Sequence, residues 1–190
     1  MPKIIKDVEQ SVFKAVMAVM TTDGIDQLSM KRIAKNSGIA VGTLYNYFPD
    51  REELISKAIQ YSWYQSFQVL DDVLNGSKDS LTKWLAFHDA LYSEMSQRKA
   101  VGHELIRQKV ISDDVNQKIV NGLFSRYADL FQELSGETDK SYSEQTRRRI
   151  QETLVSTILR LTISFPDDNQ ANRDYLNQFA RLILNIEDNN

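Results

Sequence analysis

The stretch Leu28–Glu53 (LSMKRIAKNSGIAVGTLYNYFPDREE) limits the fold of this chain more than any other, because it writes three helix boundaries into one short run. Ser29 has the side chain of an N-cap, and Leu28 before it with Ile33 at the fourth helical position makes a hydrophobic staple. Ile33 and Ala34 then face inward, and Gly38 supplies the left-handed residue that stops the helix and turns the chain. A second helix is expected over Val41–Phe48, with Leu44 and Phe48 four apart on one face. Its other faces carry Gly42, Thr43, Tyr45, Asn46 and Tyr47. Pro49 ends it, and Asp50 with Glu53 makes a capping box for a third helix. Two short helices across a glycine turn are the sequence form of a helix-turn-helix, whose second helix fits a DNA major groove.

Any helical bundle can join short helices through glycine, and that accounts for Gly38 and the apolar positions. It does not account for Thr43, Tyr45, Asn46 and Tyr47 on the outer faces of the second helix, with Gly42 leaving room. These are short or planar hydrogen-bonding groups suited to base edges, thymine methyls and phosphates. The run resembles the N-terminal signature of the TetR/AcrR-type bacterial transcriptional regulators. The resemblance is carried by Met30-Lys31-Arg32-Ile33-Ala34, Ser37-Gly38-Ile39, Gly42-Thr43-Leu44-Tyr45-Asn46-Tyr47-Phe48 and Arg51-Glu52-Glu53-Leu54. It covers roughly residues 8–60; the rest is similar to that family only in length and helical character. By position in the family's motif, Val41, Gly42, Thr43, Tyr45 and Asn46 are expected at base edges. Ser29, Lys31, Tyr47 and Arg51 are expected at phosphates, with Lys57 a further candidate. Val41 is apolar where the family often carries a polar reader, so a methyl contact is expected of it.

Charge supports this division weakly. The net charge is −3, which is not the footprint of a generally basic nucleic-acid binder. Residues 1–60 nevertheless hold eight Lys/Arg against seven Asp/Glu, whereas the remainder holds fifteen against nineteen. Lys31, Arg32, Lys35, Arg51 and Lys57 lie around the reading motif, and Lys3, Lys6 and Lys14 precede it.

Beyond the motif the chain reads as helix throughout, all-α with about nine helices. The first runs from Lys3 to Thr22 on a stripe of Val8, Val12, Val16 and Met20 and ends at Asp23-Gly24. The fourth starts at Arg51 and continues to Leu74 without a turn residue. No flexible linker is therefore expected between an N-terminal head (1–50) and the helical remainder (51–190). A fifth helix over Asp79–Lys99, a short sixth over His103–Ile111 and a seventh over Asp113–Leu134 precede a polar loop at Glu137–Ser143. The eighth (Ser143–Phe165, closed by Pro166) carries Leu154, Ile158, Leu161 and Phe165 on one stripe and Val155, Leu159 and Ile163 on another. The ninth, over Gln170–Ile186, is similarly two-sided, with Tyr175, Phe179 and Leu182/Ile183 beside Leu176 and Ala180. A helix apolar on two sides must be covered on two sides. Leu154, Ile158, Leu161, Phe165, Phe179 and Ile183 are therefore expected at a homodimer interface, two helices from each chain forming a four-helix bundle, as the resemblance also implies.

The middle helices are rich in aromatic residues. Trp63, Phe67, Trp84, Phe87, His88, Tyr92, Phe124 and Tyr127 have core and pocket readings of equal weight; the resemblance implies a small-molecule effector cavity in this half. Other chemistry finds little foothold. The absence of cysteine excludes disulfides and thiol nucleophiles, and the two histidines, His88 and His103, sit in no metal-ligand spacing. No phosphate-binding loop or nucleophile elbow is present. Arg147-Arg148-Arg149 reads as a salt-bridged helix surface, with Glu144 and Glu152 four residues either side of Arg148. Acidic residues Asp7 and Glu9 fall where a signal peptide needs its apolar core, and no run of about 18 apolar residues occurs. The expectation is therefore a cytoplasmic, non-enzymatic DNA-binding regulator without metal or cofactor. It would be a homodimeric repressor on a palindromic operator, released by a small molecule. The alternative is a constitutive or architectural DNA-binding protein without effector.

Overall fold

The caps and breaks of the sequence fix where each helix begins and ends in the computed structural model, which describes residues 2–76, 79–98, 112–137 and 142–183. Among these there are eight α-helices and no strand. They are α1 (Pro2–Asp23), α2 (Met30–Ser37), α3 (Val41–Tyr47), α4 (Arg51–Leu74), α5 (Ser80–Ser96), α6 (Asp113–Glu137), α7 (Glu144–Ser164) and α8 (Asn169–Ile183). The short helix expected over His103–Ile111 and the last turn of the final helix lie outside the described residues. Asp79 and Ser143 cap α5 and α7, each side chain accepting from the backbone N–H three residues on, at Thr82 (2.9 Å) and Thr146 (3.2 Å). A short 3₁₀ turn, Ile25–Gln27, joins α1 to α2 after Gly24, whose φ of 84° needs glycine.

The described residues of Met1–Gln65 and Val101–Ile119 form one unit, those of Ser66–Ala100 and Val120–Asn190 a second. In the first, α1 packs on α2 and α2 on α3. The α1 stripe (Val12, Val16, Val19, Met20) meets Ile33, Leu44, Phe48, Leu54 and Ile55, all close to fully buried. Phe13 bridges them, 5.7 Å from the Phe48 ring and 5.3 Å from Tyr61. Full burial of a side chain such as Phe48 contributes about 1.5–3 kcal/mol, so α3 is held by buried Leu44 and by Phe48 at its C-cap rather than by its seven-residue length.

In the second unit α5 packs against both α7 and α8, which also touch each other. Trp84, Phe87 and His88 of α5 mesh with Tyr127 and Phe131 of α6 at centroid distances of 5.0–5.9 Å, mostly edge to face. Polar ties fix the same helices. Lys83 pairs with Glu133 at 2.6 Å. Arg126 pairs with Asp71 at 2.6 Å and lies over the Phe67 ring at 4.2 Å. Asn172 donates to the Tyr92 hydroxyl (2.9 Å) and to the Phe165 carbonyl (2.7 Å), and Arg173 pairs with Asp89. No described helix is long and apolar enough to cross a membrane.

Candidate nucleic-acid interface

The reading motif is built from local bonds that its sequence dictates. Ser29, in extended backbone (φ −131°, ψ 150°), accepts the Arg32 N–H at 3.3 Å and so starts α2. At the other end Gly38 is left-handed (φ 72°, ψ 22°). The Ile39 N–H returns to the Ala34 carbonyl (3.0 Å) and the Gly38 N–H to that of Lys35 (3.4 Å), which is a Schellman closure. A Cβ on Gly38 would meet nothing within 4 Å, so its backbone conformation, not space, demands glycine. The chain turns there into α3. Asp50 caps α4, its carboxylate accepting the Glu53 N–H at 2.7 Å.

α3 has one face buried and the rest in solvent. Leu44 and Phe48 are both at 0% exposure, whereas Val41 (38%) and Tyr45 (50%) stand out. Gly42, Thr43 and Asn46 are likewise exposed, and Tyr47 is half-buried beside Phe48. Five residues expected at base edges thus share the open surface of one short helix, a shape that a major groove admits.

The cations divide into free and engaged. Lys31 and Lys35 are exposed on α2 and pair with no carboxylate among the described residues, and Lys14 of α1 is exposed. Arg32 is held by Asp23 at 2.5 Å, and Lys57 by Glu53 at 2.7 Å and by the face of Phe48. Arg51, expected at a phosphate, is turned inward instead. Its Nε donates to the Leu28 carbonyl at 2.8 Å and its Nη2 to the Ile25 carbonyl at 2.6 Å, so it pins the α1–α2 connection to the start of α4. The physical reason is the planar guanidinium fork, which matches two main-chain acceptors at once.

The other expected residues are less of one piece. Trp63 packs against the core of the first unit, whereas the other aromatic residues expected at a pocket belong to the second. There, Trp84, Phe87, His88, Tyr92 and Tyr127 are all fully buried, while Phe67 and Phe124 are half-buried. The His88 Nδ1–H donates to the Trp84 carbonyl at 2.6 Å, which leaves Nε2 to accept from the Tyr127 hydroxyl at 3.1 Å. Burial holds the imidazole neutral, with its pKa lowered to about 4, and pushes the Tyr127 phenol up. The indole N–H of Trp84 is buried with no acceptor among the described residues.

Of the six expected interface residues, Leu154 and Ile158 are at 0% exposure inside the chain's own core and are not available to a second copy. Leu161, Phe179 and Ile183 are half-buried and Phe165 is 52% exposed. Two further apolar residues stand open on α8: Leu182 at 74% and Tyr175 at 49%, its ring stacked on Phe179 at 5.7 Å. The sequence carries the signal for both, since Tyr175, Phe179 and Leu182 recur at helical spacing.

Residues 12–58 match the model for bacterial regulatory proteins of the tetR family. A curated relative, an uncharacterized HTH-type transcriptional regulator of Haemophilus influenzae, is 37% identical over 51 residues, 27% of this chain and 27% of its own length. The chain thus matches about a quarter of that relative's length. Solved structures extend the likeness in fold to nearly the whole chain. A transcriptional regulator from Rhodococcus sp. RHA1 superposes with a TM-score of 0.75 at 17% identity, over 93% of this chain and 96% of its own. The transcriptional regulator FadR from Bacillus subtilis, in complex with stearoyl-CoA, superposes with a TM-score of 0.69 at 19% identity, over 94% and 98%. Residues 12–58 thus match the model for bacterial regulatory proteins of the tetR family, on a chain whose all-helical fold is similar to that of solved transcriptional regulators.

Proposed function

We propose that this protein is a sequence-specific transcriptional repressor that binds a palindromic operator as a homodimer. In this reading residues 1–50 read DNA and residues 51–190 pair the subunits and sense an effector. The observation that carries it is the division of α3: Leu44 and Phe48 at 0% exposure anchor the helix, and Val41, Gly42, Thr43, Tyr45 and Asn46 are left open to base edges. Dimerisation is supported by Phe165, just past the end of α7, and by Tyr175 and Leu182 along α8, apolar residues that are 49–74% exposed. Two heads on a two-fold axis would enter successive major grooves about 34–36 Å apart. Selection of bound duplexes from a random pool, with sedimentation of the complex, tests this. Enriched inverted repeats bound by two chains are expected; a single half-site bound by one chain contradicts the dimer.

The effector is read as a largely apolar small molecule taken up in the second unit. The buried Trp84 N–H supports this, since among the described residues it meets no acceptor of the kind that a ligand carbonyl would bring. FadR from Bacillus subtilis, similar in fold, is described with stearoyl-CoA, which makes fatty acyl thioesters the first class to test. A second reading, constitutive binding without effector, is favoured by the close ring packing of Trp84, Phe87, His88 and Tyr127. Titrating the operator complex with a series of saturated acyl-CoAs separates the two: DNA release with a change in tryptophan emission supports the first, and unchanged affinity across the series supports the second.

A further inference from the structure

We propose that the groove between α2 and α3 is a subsite for one thymidine phosphate unit of the bound DNA, with the thymine methyl against Ile39, Ala40 and Val41 and the phosphate between Lys31 and Lys35. This rests on the DNA-reading function above and names what one part of that surface reads. The groove is lined by Ser29, Lys31, Lys35, Ile39, Ala40 and Val41, among others. Its floor is apolar and open: Val41 is 38% exposed at the first position of α3, Ala40 before it is exposed, and Ile39 is half-buried. An apolar floor cannot hydrogen-bond a base edge. In the major groove each base offers polar atoms or bare ring edges except thymine, whose 5-methyl is the one group that gains from such a surface. Cytosine would leave the floor unfilled, and a purine would set its polar edge against carbon.

The rim has the opposite character. Lys31 and Lys35 are four apart, on one face of α2, both exposed and without a carboxylate partner among the described residues. Arg32, which also borders the groove, is neutralised by Asp23. The Ser29 hydroxyl oxygen accepts the Arg32 N–H, so its own proton stays available to a phosphate oxygen. A cationic rim over an apolar floor is complementary to a methylated pyrimidine with its phosphate.

The test uses the full chain and a duplex selected from the random pool, each dT replaced in turn by deoxyuridine, which pairs alike but lacks the methyl. One replacement per half-site is expected to weaken binding about three- to fourfold, the worth of one buried methyl. Val41→Ala, at an exposed position that leaves the core intact, should weaken the dT duplex and abolish the difference between dT and deoxyuridine there. Lys35→Gln should lower the slope of log affinity against log salt by about 1.8 for the dimer, one phosphate contact of about 0.9 in each subunit, and leave that difference unchanged. The proposal is overturned by a tightly bound duplex in which no replacement matters, by a difference that persists in Val41→Ala, or by an unaltered salt slope in Lys35→Gln. A pool that yields no preferred sequence overturns the DNA-reading function itself.

Discussion

Replacing Arg51 by Ala distinguishes a residue that holds the head together from one that grips DNA. Its guanidinium makes two bonds to main-chain carbonyls, 2.8 Å to Leu28 and 2.6 Å to Ile25, across the connection that leads into the Ser29 cap. Hydrogen bonds from a charged donor contribute about 1.5–3 kcal/mol each when well buried. The Arg51 side chain keeps 29% of its surface in solvent, which argues for the lower end, so loss of the pair should cost roughly 2–3 kcal/mol. For a chain of this size that lowers the melting temperature by about 5–10 °C. Circular dichroism melts would read the loss, and fluorescence anisotropy at several salt concentrations would read the DNA affinity. The structure predicts a lower melting temperature, weaker binding and an unchanged salt slope, with Arg51→Lys recovering little because an ammonium lacks the fork that reaches two carbonyls. An unchanged melt, with a salt slope reduced by about 0.9 per subunit and restored by lysine, would refute the reasoning and return Arg51 to the phosphates.

Acid should weaken the second unit through His88. Its folded pKa, about 4, lies below the ordinary 6.5, so the neutral form is the one that stabilises; the contribution is complete above 6.5 and disappears as the pH falls toward 4. The span corresponds to about 3 kcal/mol, and urea midpoints measured across that range should flatten in His88→Gln. Gly122→Ala should destabilise despite alanine's higher helix propensity, because its Cβ would lie 2.7 Å from the Phe67 ring and force that ring from beneath Arg126. A loss of about 1–3 kcal/mol in denaturant midpoints is expected. Asn46→Ala should change which sequences are preferred while leaving the salt slope alone; equal losses on operator and random DNA would remove Asn46 from the base edges. Leu182→Glu, at a 74% exposed position, should leave the monomer folded and drive sedimentation toward the monomer.

Features set by neighbours in sequence are legible from the sequence alone. Ser29, Gly38, Asp79 and Ser143 end or begin helices through bonds that span three to five residues, so residue type and spacing suffice to place them. The core face of α3 is legible for the same reason, since Leu44 and Phe48 recur at helical spacing. Contacts between distant segments are not. Arg51 reaches carbonyls 23 and 26 residues back, and nothing in its motif distinguishes an arginine turned toward main chain from one turned toward phosphate. The two-sided character of α7 is plain, but which stripe faces the chain's own core depends on how α5 approaches it. Leu154 and Ile158 are on that inner side. Trp63 and Phe67 lie one helical turn apart on α4, yet the first belongs to the packing of the first unit and the second to that of the other. The 3₁₀ turn at Ile25–Gln27 is too short to leave a periodic signal.

The central claim is that α3 reads base edges rather than merely lying on DNA. The ratio of affinities for the selected duplex and for a scrambled duplex of the same length, at one fixed salt concentration near physiological, tests it most directly. A sequence-specific reader should prefer the selected duplex by at least about a thousandfold, and a chain that binds both duplexes within a few-fold of each other would contradict the account.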